Sequence, residues 1–181
     1  MKEWRFVGFD DSFKDERCYI VGCITASTYI EGFMVDSIEV DGMDVTSRII
    51  SMVRRSKFRE QLRCIFLSGV TFGGFNIADI REINRRTGIP VVVVMRKMPS
   101  FQDIERALMN VGEYERRIQT LRKAGEVHHL NGLYVQLAGC SADEARGFLK
   151  GSTLKGKMPE PLRIAHMVAS AIVHGESRGR A

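Results

Sequence analysis

Two apolar runs, Leu62–Leu67 (LRCIFL) and Pro90–Met95 (PVVVVM), constrain this chain more than any other feature. Strands buried on both faces read as apolar runs of this kind, and a connection that carries a helix makes them parallel neighbours in one sheet. The connector supplies that helix. Ser68–Phe75 (SGVTFGGF) reads as a glycine-rich turn, and Asn76–Thr87 as a helix with Asn76 at its cap and Gly88 as its stop.

The upstream residues follow a different pattern. Trp4–Asp10 alternates, with Phe6, Gly8 and Asp10 on one face and Arg5, Val7, Phe9 and Asp11 on the other. It reads as a strand ending in a carboxylate pair. Cys18–Ser27 and Gly32–Val40 read as two further strands joined by Thr28–Glu31, and such short links imply an antiparallel meander. Helical spacing from Val45 to about Ser56 follows. Downstream, a helical region opens at Ser100 and runs to about Lys123 with a break near Gly112. Leu133–Leu137 is a further short strand, Ser141 with Glu144 opens a helix to about Lys150, and Glu160–His174 forms a terminal helix. The result is a mixed five-stranded α/β sheet, three antiparallel strands and then a parallel βαβ unit, in the order used by the ribonuclease H-like fold.

A chain of 181 residues, 44% hydrophobic and 27% charged, suits one domain over 1–181 with a core large enough to need neither disulfide nor structural metal. Cys18, Cys23, Cys64 and Cys140 form no C-x-x-C pair and read as free thiols in a reducing, cytoplasmic setting. No apolar stretch is long enough for a membrane span, and the opening residues meet acidic side chains before a signal-type region develops. The net charge of +5 lies wholly in the second half: residues 1–95 hold 13 basic and 13 acidic side chains, and residues 96–181 hold 14 and 9. That asymmetry suits a polyanionic partner such as DNA or RNA, and equally a protein that touches none.

The chemistry concentrates in a few places. Asp10 and Asp11 at a strand end are either oxygen ligands for a hard cation or an ordinary turn. Asp36 and Glu39 face opposite sides of a regular strand, so one of them at most joins Asp10. Gly73 and Gly74 lie in a turn whose N–H groups could face an anion, although a close strand-to-helix turn needs glycines anyway. His128–His129 reads as a solvated loop pair. Arg48, Arg54, Arg55, Lys57, Arg59 and Arg63 form either a solvated helix face or a phosphate-facing patch. In Lys157-Met158-Pro159-Glu160-Pro161-Leu162-Arg163-Ile164-Ala165-His166 the prolines set the entry to a helix whose start exposes Glu160, Arg163 and His166 on adjoining parts of one face.

Gly8–Asp11, Val40–Thr46, Gly69–Asn76, Pro90–Val94 and Pro159–His166 together resemble an uncharacterised, largely archaeal family, number 99 in the domain-of-unknown-function series. They also resemble endonuclease V, whose members are ribonuclease H-fold nucleases that use a divalent metal to cut near deaminated bases such as inosine. That second resemblance implies metal binding by Asp10, a wedge at the damaged base from Tyr29-Ile30-Glu31-Gly32-Phe33, and a metal-side role for His166. Glu31 replaces the family's proline in the wedge. The third-strand catalytic Glu falls opposite Ile38, so a small shift would enlist Asp36 or Glu39. Ser68 stands where endonuclease V has an Asp, and a neutral hydroxyl is a poor magnesium ligand beside a carboxylate.

Three functional readings follow. The first is an endonuclease V-like enzyme in which metal-activated water, with Mg or Mn, attacks a phosphodiester. Asp10 and His166 are then catalytic, Asp10 with Asp36 or Glu39 binds metal, and Tyr29, Glu160, Arg163, Gly73 and Gly74 bind substrate, with Asp11 and Ser68 in support. The second is a nucleic-acid or protein binding module that lost hydrolysis with the carboxylate at Ser68. The third is a phosphoesterase for small nucleotides.

Overall fold

The computed structural model describes residues 3–181. Ten-residue strands open the chain: β1 (Arg5–Lys14), β2 (Arg17–Ala26) and β3 (Tyr29–Ile38). They form the expected meander, closed by two-residue turns that hold Asp15 and Ser27 at positive φ. β1 does not end at Asp10, because β2 pairs with it through to Lys14. β3 begins at Tyr29, so Tyr29–Glu31 belong to an edge strand and not to a loop.

Helix α1 (Val45–Arg55) leads into β4 (Leu62–Ser68), which runs parallel to β1. A miniature hairpin follows, β5 (Thr71–Phe72) with β6 (Asn76–Ile77). Helix α2 (Ile80–Thr87) then precedes β7 (Val91–Met95), parallel to β4 as expected of a βαβ unit. The interrupted helical region is α3 (Phe101–Leu108) and α4 (Tyr114–Lys123). Strands β8 (His128–Leu130) and β9 (Leu133–Ala138) form a second hairpin, and α5 (Ala142–Ser152) and α6 (Glu160–His174) close the chain.

The sheet order is β3-β2-β1-β4-β7-β9-β8. The five strands read from the core pattern and meander occupy its first part in the expected order. β9 and β8 extend it antiparallel to seven strands, with His128 and His129 in β8 and not in a loop. The hairpin turn is Asn131-Gly132, both at positive φ, a strong local signal for two antiparallel strands.

Alternation along the strands feeds two cores. Val7, Phe9, Ile20, Ile65, Leu67 and Val93 pack under α1 to α4, and Phe6, Phe66, Val92 and Val94 pack on the other face against residues of α5 and α6. Val21 and Cys23 meet Ile164, Ala165 and Ala169 of α6 on that second face. Gly8 fixes how close α6 lies: a Cβ there would sit 2.5 Å from the Pro161 carbonyl carbon and 2.6 Å from the Leu162 nitrogen. Only a residue without a side chain permits that approach.

Candidate active site

The Gly8–Pro161 contact dictates what lies beside Asp10. Two residues of strand advance about 6.8 Å and five of helix about 7.5 Å, so a helix running along β1 from Pro161 brings His166 level with Asp10. His166 Nδ1 is 3.0 Å from Asp10 Oδ2, and Asp10 Oδ1 accepts the Asp11 N–H at 2.8 Å. Asp10 is 7% exposed. The other ring nitrogen, Nε2, lies 3.0 Å from the carbonyl oxygen of Arg178. Both nitrogens thus face acceptors. The hydrogen bond to Asp10, ahead of its Coulombic attraction and the Arg178 carbonyl, raises the His166 pKa above the ordinary imidazole value against the opposing effect of burial.

At the start of the same helix, Glu160 is not exposed as the sequence suggests: it is 4% exposed and takes Arg163 in a fork, Oε1 to Nε at 2.9 Å and Oε2 to Nη2 at 2.7 Å. The prolines on either side drive that end of α6 onto the sheet, and only Arg163 reaches solvent. Burial, helped by the Glu160 charge, pushes the Cys23 thiol up to about 12. All four cysteines are free, and Cys18, Cys23 and Cys64 are buried.

Strand register separates the remaining candidate acids from Asp10. Asp10 pairs with Val21 and Val21 with Val35, so β3 presents a valine in line with it. Asp36 follows Ile20 and Asp11 onto the opposite face, where Arg55 donates to it at 2.9 Å and Arg48 lies 3.6 Å away. Glu39 lies beyond β3, exposed, its backbone N–H on Asp44 Oδ1 at 3.2 Å. Neither Asp36 nor Glu39 joins Asp10. β4 adds no carboxylate either: Phe9 pairs with Leu67, and the next residue, in step with Asp10, is the neutral Ser68. Among the described residues, no three His, Cys, Asp or Glu side chains converge as metal ligands. One carboxylate and one imidazole, already bonded to each other, do not fit a carboxylate-bridged magnesium or manganese pair, which takes most of its ligands from oxygen.

Asp11 points away from Asp10 because successive strand residues alternate, so the two cannot chelate one ion together. Its Oδ2 accepts the Gly73 N–H at 2.8 Å and lies 3.6 Å from Cys18 Sγ. Burial, with the Asp10 charge adding to it, pushes the Asp11 pKa up to about 6 against the Gly73 hydrogen bond. The glycine turn is therefore committed internally: Asp11 takes the Gly73 N–H, Asp41 Oδ1 takes that of Phe75 at 2.8 Å, and a Cβ on Gly74 would sit 2.3 Å from Asp41 Oδ1. No helix starts there. Asn76 is buried and does not cap the following helix, a role filled by Asp79. Its Oδ1 instead accepts the first N–H of α1, from Val45, at 3.0 Å.

Arg117 locks this network and escaped the sequence reading. It is 4% exposed and donates to four backbone carbonyls: Gly112 at 2.6 Å, Gly42 at 2.8 Å, Phe75 at 2.6 Å and Asp41 at 2.6 Å. The available signal was a cation on the same stripe as the apolar Tyr114, Ile118 and Leu121. The basic patch, in contrast, is divided. Arg48 and Arg55 pair with Asp36, Arg54 bonds the Arg86 carbonyl, Arg59 pairs with Glu60, and Lys57 lies over the Phe58 ring. Tyr29 stands at the start of the edge strand, 75% exposed, and Glu31 is held by Arg5.

A mixed sheet of this order, flanked by helices on both faces, has the fold of endonuclease V. Endonuclease V from Ciona intestinalis, solved in complex with a 24mer DNA containing an inosine followed by a ribo-adenosine, superposes with a TM-score of 0.62 over 94% of this chain and 86% of that one at 14% identity. Human ENDOV gives 0.63 over 96% and 85% at 15% identity. Residues 2–173 match the family model for Endonuclease dU, and the chain belongs to that family. A UPF0215 protein of Archaeoglobus fulgidus is 54% identical over the whole of both chains, and one of Methanosarcina mazei 40% identical over 99% of this chain and 95% of its own. A structure of a protein of unknown function from Archaeoglobus fulgidus gives a TM-score of 0.94 at 53% identity, covering 96% of this chain and all of that one. Among the described residues no helix is long and apolar enough to cross a membrane.

Proposed function

We propose that this chain is an endonuclease V-like nuclease that cleaves a phosphodiester in nucleic acid beside a deaminated base, with deoxyuridine in DNA the first substrate indicated by the family's name. The pair of buried Asp10 and half-buried His166 carries this reading. Asp10 holds the imidazole by Nδ1, which leaves Nε2–H as the donor that can meet a phosphate or the departing oxygen. In the step, a water oxygen bonds to phosphorus and the bond from phosphorus to the leaving oxygen breaks. His166 gives its Nε2 proton to that oxygen, and the water's proton passes to solvent. Asp10 keeps the ring oriented and stabilises its charge. Glu160 positions Arg163 at the rim, where a guanidinium can take a neighbouring phosphate.

A second reading keeps the nucleic-acid partner without turnover, and the neutral Val35 and Ser68 in line with Asp10 favour it. Labelled DNA and RNA strands carrying one deoxyuridine, one inosine or neither, incubated in Mg2+, Mn2+ or EDTA, separate the two. Products confined to the deaminated strands support the nuclease. Binding without products in every condition supports the second reading, and neither binding nor products overturns both. The EDTA arm decides whether a metal takes part.

A further inference from the structure

The segment after α6 does not leave the molecule. Gly175 ends the helix in the left-handed conformation, and the chain reverses along it: the Arg178 N–H bonds Ser170 Oγ at 2.8 Å and Ser177 Oγ bonds the Met167 carbonyl at 2.7 Å. The Arg178 carbonyl then meets His166 Nε2 at 3.0 Å, and a Cβ on Gly179 would lie 3.7 Å from the same nitrogen. At the end of the segment Ala181 packs against the α5-side core, and its oxygen bonds Arg96, just past β7. Residues 175–181 thus cross from α6, which lies over β1 and β2, to the far side of β4, the strand that ends at Ser68.

We propose that residues 175–181 are a displaceable strap that closes the Asp10–His166 site, with the Arg178 carbonyl oxygen standing where a phosphate oxygen of the nucleic acid would stand. The inference rests on the function proposed above. A carbonyl oxygen on the outward nitrogen of the ring satisfies the donor that the reaction needs, so strap and substrate compete for one hydrogen bond. Among the described residues each tether is a single hydrogen bond or a small apolar contact, and Arg178 pairs with Glu176 of the strap itself. Arg178 and Arg180 are exposed and can meet a polyanion once the strap lifts as they can before, while Glu176 is the one acid of the strap it must tolerate.

The test compares the full chain, a variant ending at residue 174, and the full-length Ser170→Ala/Ser177→Ala variant, which loses two tethers and keeps every residue of the strap. Diethylpyrocarbonate carbethoxylation of His166, followed by peptide mass spectrometry, reads closure without any substrate, with His129 as the internal reference. Fluorescence anisotropy with a deoxyuridine-containing single strand reads competition. His166 should react about tenfold faster in the shortened chain, with the double variant in between, and the double variant, which keeps Arg178 and Arg180, should bind the strand about tenfold tighter than the full chain, the size of an ordinary coupling between two contacts. Equal His166 reactivity in all three proteins overturns the strap. Faster reaction without DNA binding by any of them overturns displacement by nucleic acid, and with it the functional reading, while retaining the closure. Equal DNA affinity of the double variant and the full chain, despite faster reaction, overturns the competition alone.

Discussion

Arg117 is a buried cation that meets only carbonyl oxygens, so its worth lies in the four acceptors it satisfies between α4, the Asp41–Gly42 loop and Phe75. Arg117→Ala leaves those acceptors in a dry site. It should cost about 3 kcal/mol and lower the melting temperature by roughly 10 °C, with Arg117→Lys recovering part of the loss because an ammonium cannot reproduce the fork. A shift within 2 °C, as an order-of-magnitude bound for about 0.5 kcal/mol, would show the network to be redundant. Asp11 makes a pH prediction. Its folded pKa of about 6 lies above the unfolded value of about 3.9, so its stabilising contribution is complete below that lower value and is lost as pH rises through 6. Asp11→Asn should gain on the wild type in melting temperature between pH 4 and pH 7, whereas a constant difference across that range would refute the shift. Asp10 could be singled out as an acid on an alternating apolar strand, and His166 as one of three polar residues, with Glu160 and Arg163, at a proline-bounded helix start. Arg117 was not, since a single cation on an apolar stripe looks like a boundary of that stripe, and burial by carbonyls from distant loops leaves no local trace.

The Gly8–α6 contact is the element-scale device on which the site depends. Gly8→Ala would drive a Cβ into backbone atoms of Pro161 and Leu162, which cannot swing aside as a side chain can. The helix must lift, costing about 2 kcal/mol, and the Asp10–His166 hydrogen bond should break. Retention of that bond in a crystal structure of the variant would contradict this account of how the site is positioned. The terminal helix and the βαβ unit could be read from sequence because their patterns are long and bounded by prolines or glycines. The Asp10–Asp11 pair misled for a reason of scale: it looks like a strand end locally, yet ten consecutive pairings with β2 carry the strand past it, with the two carboxylates on the opposite faces that the alternation gives them. Asn76 misled likewise, since an Asn before an apolar stretch looks like a cap for its own helix and here caps α1, far back in the chain.

At the scale of the whole molecule the sheet divides the labour. One face holds α1 to α4 and the interlocked glycine turn, and the other holds α6, the Asp10–His166 pair and the strap. On the proposed function, a chain with net charge +5 that takes phosphates on that second face should bind nucleic acid with a clear salt dependence. Affinity for a deoxyuridine strand should fall about tenfold or more between 50 and 200 mM salt, as an estimate from a few phosphate contacts. A flat response would show that the partner is not held by its phosphates. The carbonyl on His166 Nε2 left no sequence signal, because it depends on a chain reversal and on a backbone atom. The central claim is that Asp10 and His166 act together at the reacting phosphate. Its most direct test is the cleavage rate on a deoxyuridine strand for the wild type, Asp10→Asn, His166→Ala and the double variant. The account predicts that each single change removes at least about 100-fold of the rate, and that the double change removes little more, since the two residues work as one unit. Full-rate cleavage by either single variant would contradict it.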